Sequence, residues 1–104
     1  MIDLAPRYLE EVRKLLAAHL PEAEVWVFGS RVSATAAEGS DLDLVVRSFD
    51  DSVTPLAGLR EAFRESSLPF VVELLDWATI PDHFRKEILK NYQVIKKGQN
   101  EPAH

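Results

Sequence analysis

The sequence predicts a single α/β domain of the α+β type, in which helices pack on a mixed β-sheet. Segments with apolar residues at three- and four-residue spacing alternate with short, continuously apolar segments, which is typical of helices alternating with buried strands. The chain has 104 residues, enough for one hydrophobic core but too few for two. Apolar residues make up 46% and charged residues 28%, and these proportions indicate a folded globular protein.

The predicted elements follow one another without a linker or an internal repeat. In chain order they are a helix at 6–20, a strand at 25–28, a short helix at 30–34, a loop at 35–40, a strand at 42–46, a helix at 55–67, a strand at 70–75, a helix after a capping signal at 79–82, and an edge strand at 94–95. Thr54 is the predicted N-cap of the second long helix and Pro55 its first residue. The first two strands can pair antiparallel. Residues 1–97 form the predicted domain, and residues 98–104 a flexible tail.

Charge and composition limit the kinds of partner. The net charge is −5, from 17 acidic and 12 basic residues, which disfavours nonspecific binding to DNA or RNA. The absence of cysteine excludes a disulfide framework and fits a reducing cytoplasm. The first eleven residues do not resemble a signal peptide, and no apolar run approaches membrane-spanning length. We therefore expect a cytoplasmic protein with no direct nucleic-acid partner and no membrane partner.

One pattern of polar residues indicates chemistry. Gly29-Ser30 follows the first predicted strand, and after ten further residues Asp41-Leu42-Asp43 opens the second. Carboxylates at i and i+2 of an extended segment point to the same side, where they repel each other unless a divalent cation lies between them. Hard oxygen ligands are the ones that Mg²⁺ prefers. A Gly-Ser turn can offer backbone N–H groups and a hydroxyl to phosphate, so the pattern predicts nucleotide chemistry.

The third metal ligand has two candidates. Glu73 interrupts an apolar strand, where a charge has no structural use, unless it lies at a wet strand end or pairs with an arginine. Asp76 ends the same strand, three residues later, so the two side chains should face opposite sides of the sheet. We favour Glu73. Arg31 has two interpretations as well, a contact with the γ-phosphate or an ordinary surface arginine.

Three stretches resemble the signature of the minimal nucleotidyltransferases within the DNA polymerase β superfamily: 28–31, 39–44 and 72–77. The resemblance implies a polymerase β palm-like fold. It implies one or two Mg²⁺ ions held by Asp41, Asp43 and Glu73, with ATP or another nucleoside triphosphate over Gly29, Ser30 and Arg31. An acceptor hydroxyl would attack the α-phosphorus, and pyrophosphate would leave. Glu73 departs from this family, which usually has aspartate at its position.

The same resemblance implies a biological role. Minimal nucleotidyltransferases commonly accompany a helical HEPN-domain ribonuclease toxin and act as its antitoxin by transferring AMP to it. We therefore expect a protein adenylyltransferase whose acceptor is a tyrosine hydroxyl of such a toxin. Two alternatives remain open: a nucleotide-binding antitoxin with little or no turnover, and a small-molecule nucleotidyltransferase that acts as a homodimer (a homo-oligomer of two subunits).

Overall fold

The computed structural model describes residues 2–32 and 40–98. Within these ranges the chain forms three α-helices, one 3₁₀ turn and four strands. They are α1 (Pro6–His19), β1 (Glu24–Phe28), the 3₁₀ turn (Gly29–Arg31), β2 (Leu42–Arg47), α2 (Ala57–Glu65), β3 (Val72–Asp76), α3 (Asp82–Lys90) and β4 (Tyr92–Lys96). Most of the short helix and loop predicted at 30–40, and the tail beyond residue 98, lie outside the described residues. No helix in the described ranges is long and apolar enough to span a bilayer.

The four strands form one mixed sheet in the order β3-β2-β1-β4. β1 pairs antiparallel with both β2 and β4, whereas β2 and β3 run parallel and are connected through α2. The predicted antiparallel pairing of the first two strands is therefore confirmed. The predicted edge strand is also confirmed, and it extends from Tyr92 to Lys96.

The two faces of the sheet carry separate apolar clusters. Leu42, Leu44 and Val46 of β2 pack with residues of α1 and α2 in the larger cluster. Val45 faces the other way and packs with Trp26 and with residues of the α3 side. Because side chains alternate along a strand, Asp43 lies on the same face as Val45.

The start of α2 differs from the prediction. The helix begins at Ala57, and Leu56 rather than Thr54 is the N-cap, with no side-chain cap hydrogen bond. The backbone N–H of Thr54 instead donates to Oδ2 of Asp76 at 2.7 Å. This bond ties the chain to the end of β3 before the helix can begin. Helix α2 ends at Glu65, two residues earlier than predicted.

The start of α3 also differs in detail. The helix begins at Asp82, close to the predicted position, with Pro81 at the N-cap. Within the predicted capping signal at 79–82, the Thr79 hydroxyl donates to the carbonyl oxygen of Asp76 and closes the preceding turn, and no side chain caps the helix. The element is correct and its predicted cap is wrong.

Candidate active site

Three acidic side chains meet at one end of the β2–β3 pair. Asp43 of β2 lies directly opposite Glu73 of β3 in the parallel register. Asp41 comes two residues before Asp43, just outside the start of β2. Burial raises the pKa of Asp43, and the negative charges of Asp41 and Glu73 raise it further. The structure therefore brings the three predicted carboxylates into electrostatic contact.

The donor set fits a hard divalent cation. Asp43 is half-buried, and Asp41 and Glu73 are exposed. Within residues 2–32 and 40–98, no group of three or more potential ligands is already arranged around a metal position. Mg²⁺ does not require such a cage, because it usually binds to one or two carboxylates, keeps several waters and takes further oxygens from substrate phosphates. The two exposed side chains have the freedom to turn toward the ion.

Asp76 has a different role. It is buried and lies in register with Val46, on the face opposite to Glu73. Its Oδ2 accepts the Thr54 N–H at 2.7 Å, and its Oδ1 accepts the Ala78 N–H at 3.0 Å. Both carboxylate oxygens therefore hold the backbone on either side of β3, away from Asp43.

Glu73 does not owe its position to an arginine. On the neighbouring helix, Arg60 donates to the carbonyl oxygen of Leu74 at 3.1 Å, and Arg64 pairs with Glu61 at 2.9 Å. Among the described residues no arginine forms an ion pair with Glu73. A groove of about 400 Å³ opens beside Glu73, between α2 and the free edge of β3.

The Gly29-Ser30 turn touches the carboxylates. Gly29 has a φ angle of +80°, which side chains disfavour, and a Cβ placed on it would lie 2.6 Å from Oδ2 of Asp43. The turn continues as a single 3₁₀ turn closed by a bond from the Val32 N–H to the Gly29 carbonyl oxygen. Ser30 is half-buried within it. The backbone of the predicted phosphate turn is therefore in contact with the central carboxylate.

Arg31 is not a surface arginine, so that interpretation is wrong. The residue is only 9% exposed. Its guanidinium donates to the carbonyl oxygens of Asp3 at 3.0 Å and Ser40 at 2.7 Å, and it lies over the Phe70 ring at 4.9 Å. Arg31 thus links the N-terminal segment to the start of β2. A contact with the γ-phosphate would have to use the N–H groups that these two bonds leave over.

Aromatic side chains lie beside the carboxylates, and the sequence did not predict them there. The cross-strand register places Glu73, Asp43, Phe28 and Tyr92 in one row across the sheet. Phe84 of α3 contacts Phe28 with a ring-centroid separation of 6.0 Å and an interplanar angle of 90°. The strand register could have indicated Phe28, because it follows from pairing β1 with β2, but nothing in the sequence aligns Phe84 with this row.

Comparisons with known proteins identify the family of the chain. The family model described as Polymerase beta, Nucleotidyltransferase matches residues 10–101, a stretch that contains every candidate site residue. The chain is 44% identical over 100 residues to the Probable protein adenylyltransferase MntA of Haemophilus influenzae, covering 94% of this chain and 87% of that protein.

Two solved structures share the fold. A crystal structure of a toxin-antitoxin with AMP-PNP has a TM-score of 0.70 at 22% identity, over 88% of this chain and 74% of that one. The toxin-antitoxin MntA-HepT has a TM-score of 0.65 at 19% identity, over 91% and 74% of the two chains. The sequence match and the shared fold lead to one assignment. The chain belongs to the polymerase beta nucleotidyltransferase family.

Proposed function

We propose that this protein is a Mg²⁺-dependent adenylyltransferase that moves AMP from ATP onto a hydroxyl of a partner protein and thereby acts as an antitoxin. The observation that carries the proposal is the convergence of Asp41 and Glu73 on Asp43, in contact with the Gly29 turn. The name of the 44% identical relative supports protein adenylylation. The structures of similar fold are toxin-antitoxin complexes, which supports a toxin as the partner.

The chain's own residues have distinct parts in this reaction. Asp41, Asp43 and Glu73 would hold Mg²⁺, which supplies positive charge to the triphosphate when it is bound. The backbone N–H groups of the Gly29-Ser30 turn orient the β- and γ-phosphates. Asp43 accepts the proton of the acceptor hydroxyl, whose oxygen forms a bond to the α-phosphorus. The bond from that phosphorus to the bridging oxygen breaks, and pyrophosphate leaves.

The acceptor must be presented by a second molecule. Asp41 and Glu73 are exposed, and Glu73 lies on the edge strand β3, on the side of Asp43 away from Phe28 and the phosphate turn. We propose that a helical HEPN-type toxin brings a tyrosine hydroxyl to this side. Consumption of ATP and the lack of cysteine fit a cytoplasmic location.

The decisive experiment follows the α-phosphate. The purified protein, Mg²⁺ and ATP labelled at the α-phosphate are added to a lysate of the source organism, and labelled products are separated by size. We expect one labelled protein, with no label from γ-labelled ATP or from the Asp41→Ala/Asp43→Ala double variant. Label on small molecules alone would instead indicate a small-molecule nucleotidyltransferase.

One observation favours a second candidate, a nucleotide-binding antitoxin with little turnover. The third carboxylate is a glutamate, and its longer side chain is exposed rather than fixed beside Asp43. Under this hypothesis the double variant would still neutralise the toxin, because binding alone would block it. Toxin neutralisation that survives in the double variant, together with an absence of labelled protein, would establish this second candidate over the first.

A further inference from the structure

The aromatic side chains on the face of Asp43 differ in how they are used. Trp26 stacks on Tyr92 at 4.4 Å between ring centroids and meets Trp77 edge-on at 5.1 Å, so these rings form the core beneath α3. Phe84 lies at the border of this cluster. It contacts Phe28 edge-on and is 37% exposed, whereas Trp26 is 4% exposed. Packing in the core therefore leaves part of the Phe84 ring exposed to solvent.

The row across the sheet separates two sides of the site. Glu73 lies on one side of Asp43, and Phe28 lies on the other. Gly29-Ser30 follows Phe28 directly in the chain, so a triphosphate held by this turn lies on the Phe28 side. The proposed function leaves the other side of Asp43 to the acceptor, where Glu73 is exposed on the edge strand β3. The planar group nearest to Phe84 is then the nucleobase and not the acceptor ring.

We infer that Phe84, supported by Phe28, forms the surface on which the nucleobase of the bound nucleotide stacks. The inference rests on the proposed function, because that function places the triphosphate on the Gly29-Ser30 turn. Aromatic rings stack on any base, since every base has a π-face. The site should therefore bind ATP and GTP with similar affinity, and discrimination between them would have to come from elsewhere in the complex.

The test compares two ligands that differ in the base. The dissociation constants of ATP and of inorganic tripolyphosphate, each with Mg²⁺, are measured by calorimetry for the wild type, Phe84→Ala and Leu89→Ala. Leu89 is the matched control, because it lies on the same helix and is 49% exposed. We expect Phe84→Ala to weaken ATP binding roughly fivefold to hundredfold and to leave tripolyphosphate binding unchanged. Leu89→Ala should alter neither constant.

Further variants and readouts keep the test decisive. Phe84→Trp should retain ATP affinity, and Phe84→Leu, which preserves apolar volume for folding, should show a loss in the same direction as alanine. Equal ATP affinity in the wild type and Phe84→Ala would overturn the inference, as would a parallel loss of tripolyphosphate binding. Unchanged ATP affinity with slower transfer to the protein would assign Phe84 to the acceptor and also overturn it. A wild type that binds neither ligand would overturn the proposed function itself.

Discussion

A Cβ on Gly29 would lie 2.6 Å from Oδ2 of Asp43, closer than a carbon and an oxygen can approach without displacement. The backbone of the turn and the central carboxylate are thus in direct contact across β1 and β2. A phosphate bound by the turn and a cation bound by Asp43 would therefore lie next to each other. The glycine is required twice, by its φ angle of +80° and by the space beside it.

Replacing Gly29 with alanine should therefore damage both the fold and the site. We expect Gly29→Ala to lower the free energy of unfolding by about 1–3 kcal/mol, because a side chain at positive φ is strained and the new methyl group displaces Asp43. Nucleotide affinity should fall as well. Urea unfolding and ATP calorimetry measure the two effects.

Gly58→Ala is the matched control for this substitution. Gly58 lies in α2, and a Cβ there meets only Nδ1 of His19 at 3.9 Å, an ordinary contact. Gly58 lies in the first turn of α2, so alanine should raise the free energy of unfolding by no more than the roughly 0.5–1 kcal/mol typical of a helix interior. Similar stability changes for the two variants would contradict the role assigned to Gly29.

Neutralising Glu73 should affect activity, whereas neutralising Asp76 should affect stability. Glu73→Gln should abolish nucleotidyl transfer without loss of stability, because the side chain is exposed, its charge repels Asp43 and its proposed partner is the cation. Asp76→Asn should lower the free energy of unfolding by about 1–3 kcal/mol, because its amide cannot accept from both the Thr54 and Ala78 N–H groups. Transfer by the folded fraction should persist.

Thermal unfolding and transfer of the α-phosphate label, measured on both variants, separate the two roles. The crossed pattern is the distinguishing result, since each variant serves as the control for the other. Loss of transfer in stable Asp76→Asn, with activity retained in Glu73→Gln, would exchange their assignments.

The strands of the sheet could be predicted from the sequence because their side chains alternate regularly between its two faces. Leu42, Leu44 and Val46 alternate with residues of the opposite face, so a polar Asp43 among them had to lie at an accessible end of that face. The position of Glu73 opposite Asp43 required the parallel pairing of β2 and β3, which the element order suggests but does not align residue by residue.

The features that the sequence did not reveal depend on long-range partners. Threonine is a common N-cap residue, but the backbone N–H of Thr54 donates to the carboxylate of Asp76, 22 positions further along the chain. Arginine is usually a surface residue, yet the Arg31 guanidinium is buried and donates to the carbonyl oxygens of Asp3 and Ser40. The position of Phe84 depends on how α3 crosses the sheet. Local propensity carries no information about such contacts.

The buried guanidinium of Arg31 should contribute to stability. Arg31→Met keeps much of the apolar stem but removes the donors to the Asp3 and Ser40 carbonyl oxygens. We expect the free energy of unfolding to fall by about 1–3 kcal/mol in urea titrations. Arg64→Met is the control, because Arg64 is 75% exposed in a surface pair and should change stability little.

The same variant tests the alternative role of Arg31. If the guanidinium binds the γ-phosphate, Arg31→Met should lose affinity for ATP and keep its affinity for AMP. A purely structural role predicts that both affinities change in parallel, or not at all, in protein that remains folded.

The electrostatics of Asp43 predict a stability that depends on pH and on metal. Its pKa is raised in the folded protein by burial and by the charges of Asp41 and Glu73. The stability contributed by its protonated form is complete below the ordinary carboxyl pKa of about 4, and it is lost as the pH rises through the raised value. Ionised Asp43 therefore destabilises the metal-free protein at neutral pH.

Asp43→Asn removes this charge and reverses the effect. In EDTA at neutral pH we expect the variant to have the higher Tm, and the difference should vanish in acid, where Asp43 is protonated. Mg²⁺ should raise the Tm of the wild type and leave the variant nearly unchanged, because the cation compensates a repulsion that the variant lacks.

Asp50→Asn provides a control of opposite sign. Hydrogen bonds from Ser52, with a further one from Ser48, lower the pKa of Asp50. Its stabilising contribution is present above the ordinary carboxyl pKa and is lost as the pH falls, so this variant should have a lower Tm than the wild type at neutral pH. Equal stabilisation of the wild type and Asp43→Asn by Mg²⁺ would place the cation elsewhere, because binding at the three carboxylates requires the charge of Asp43.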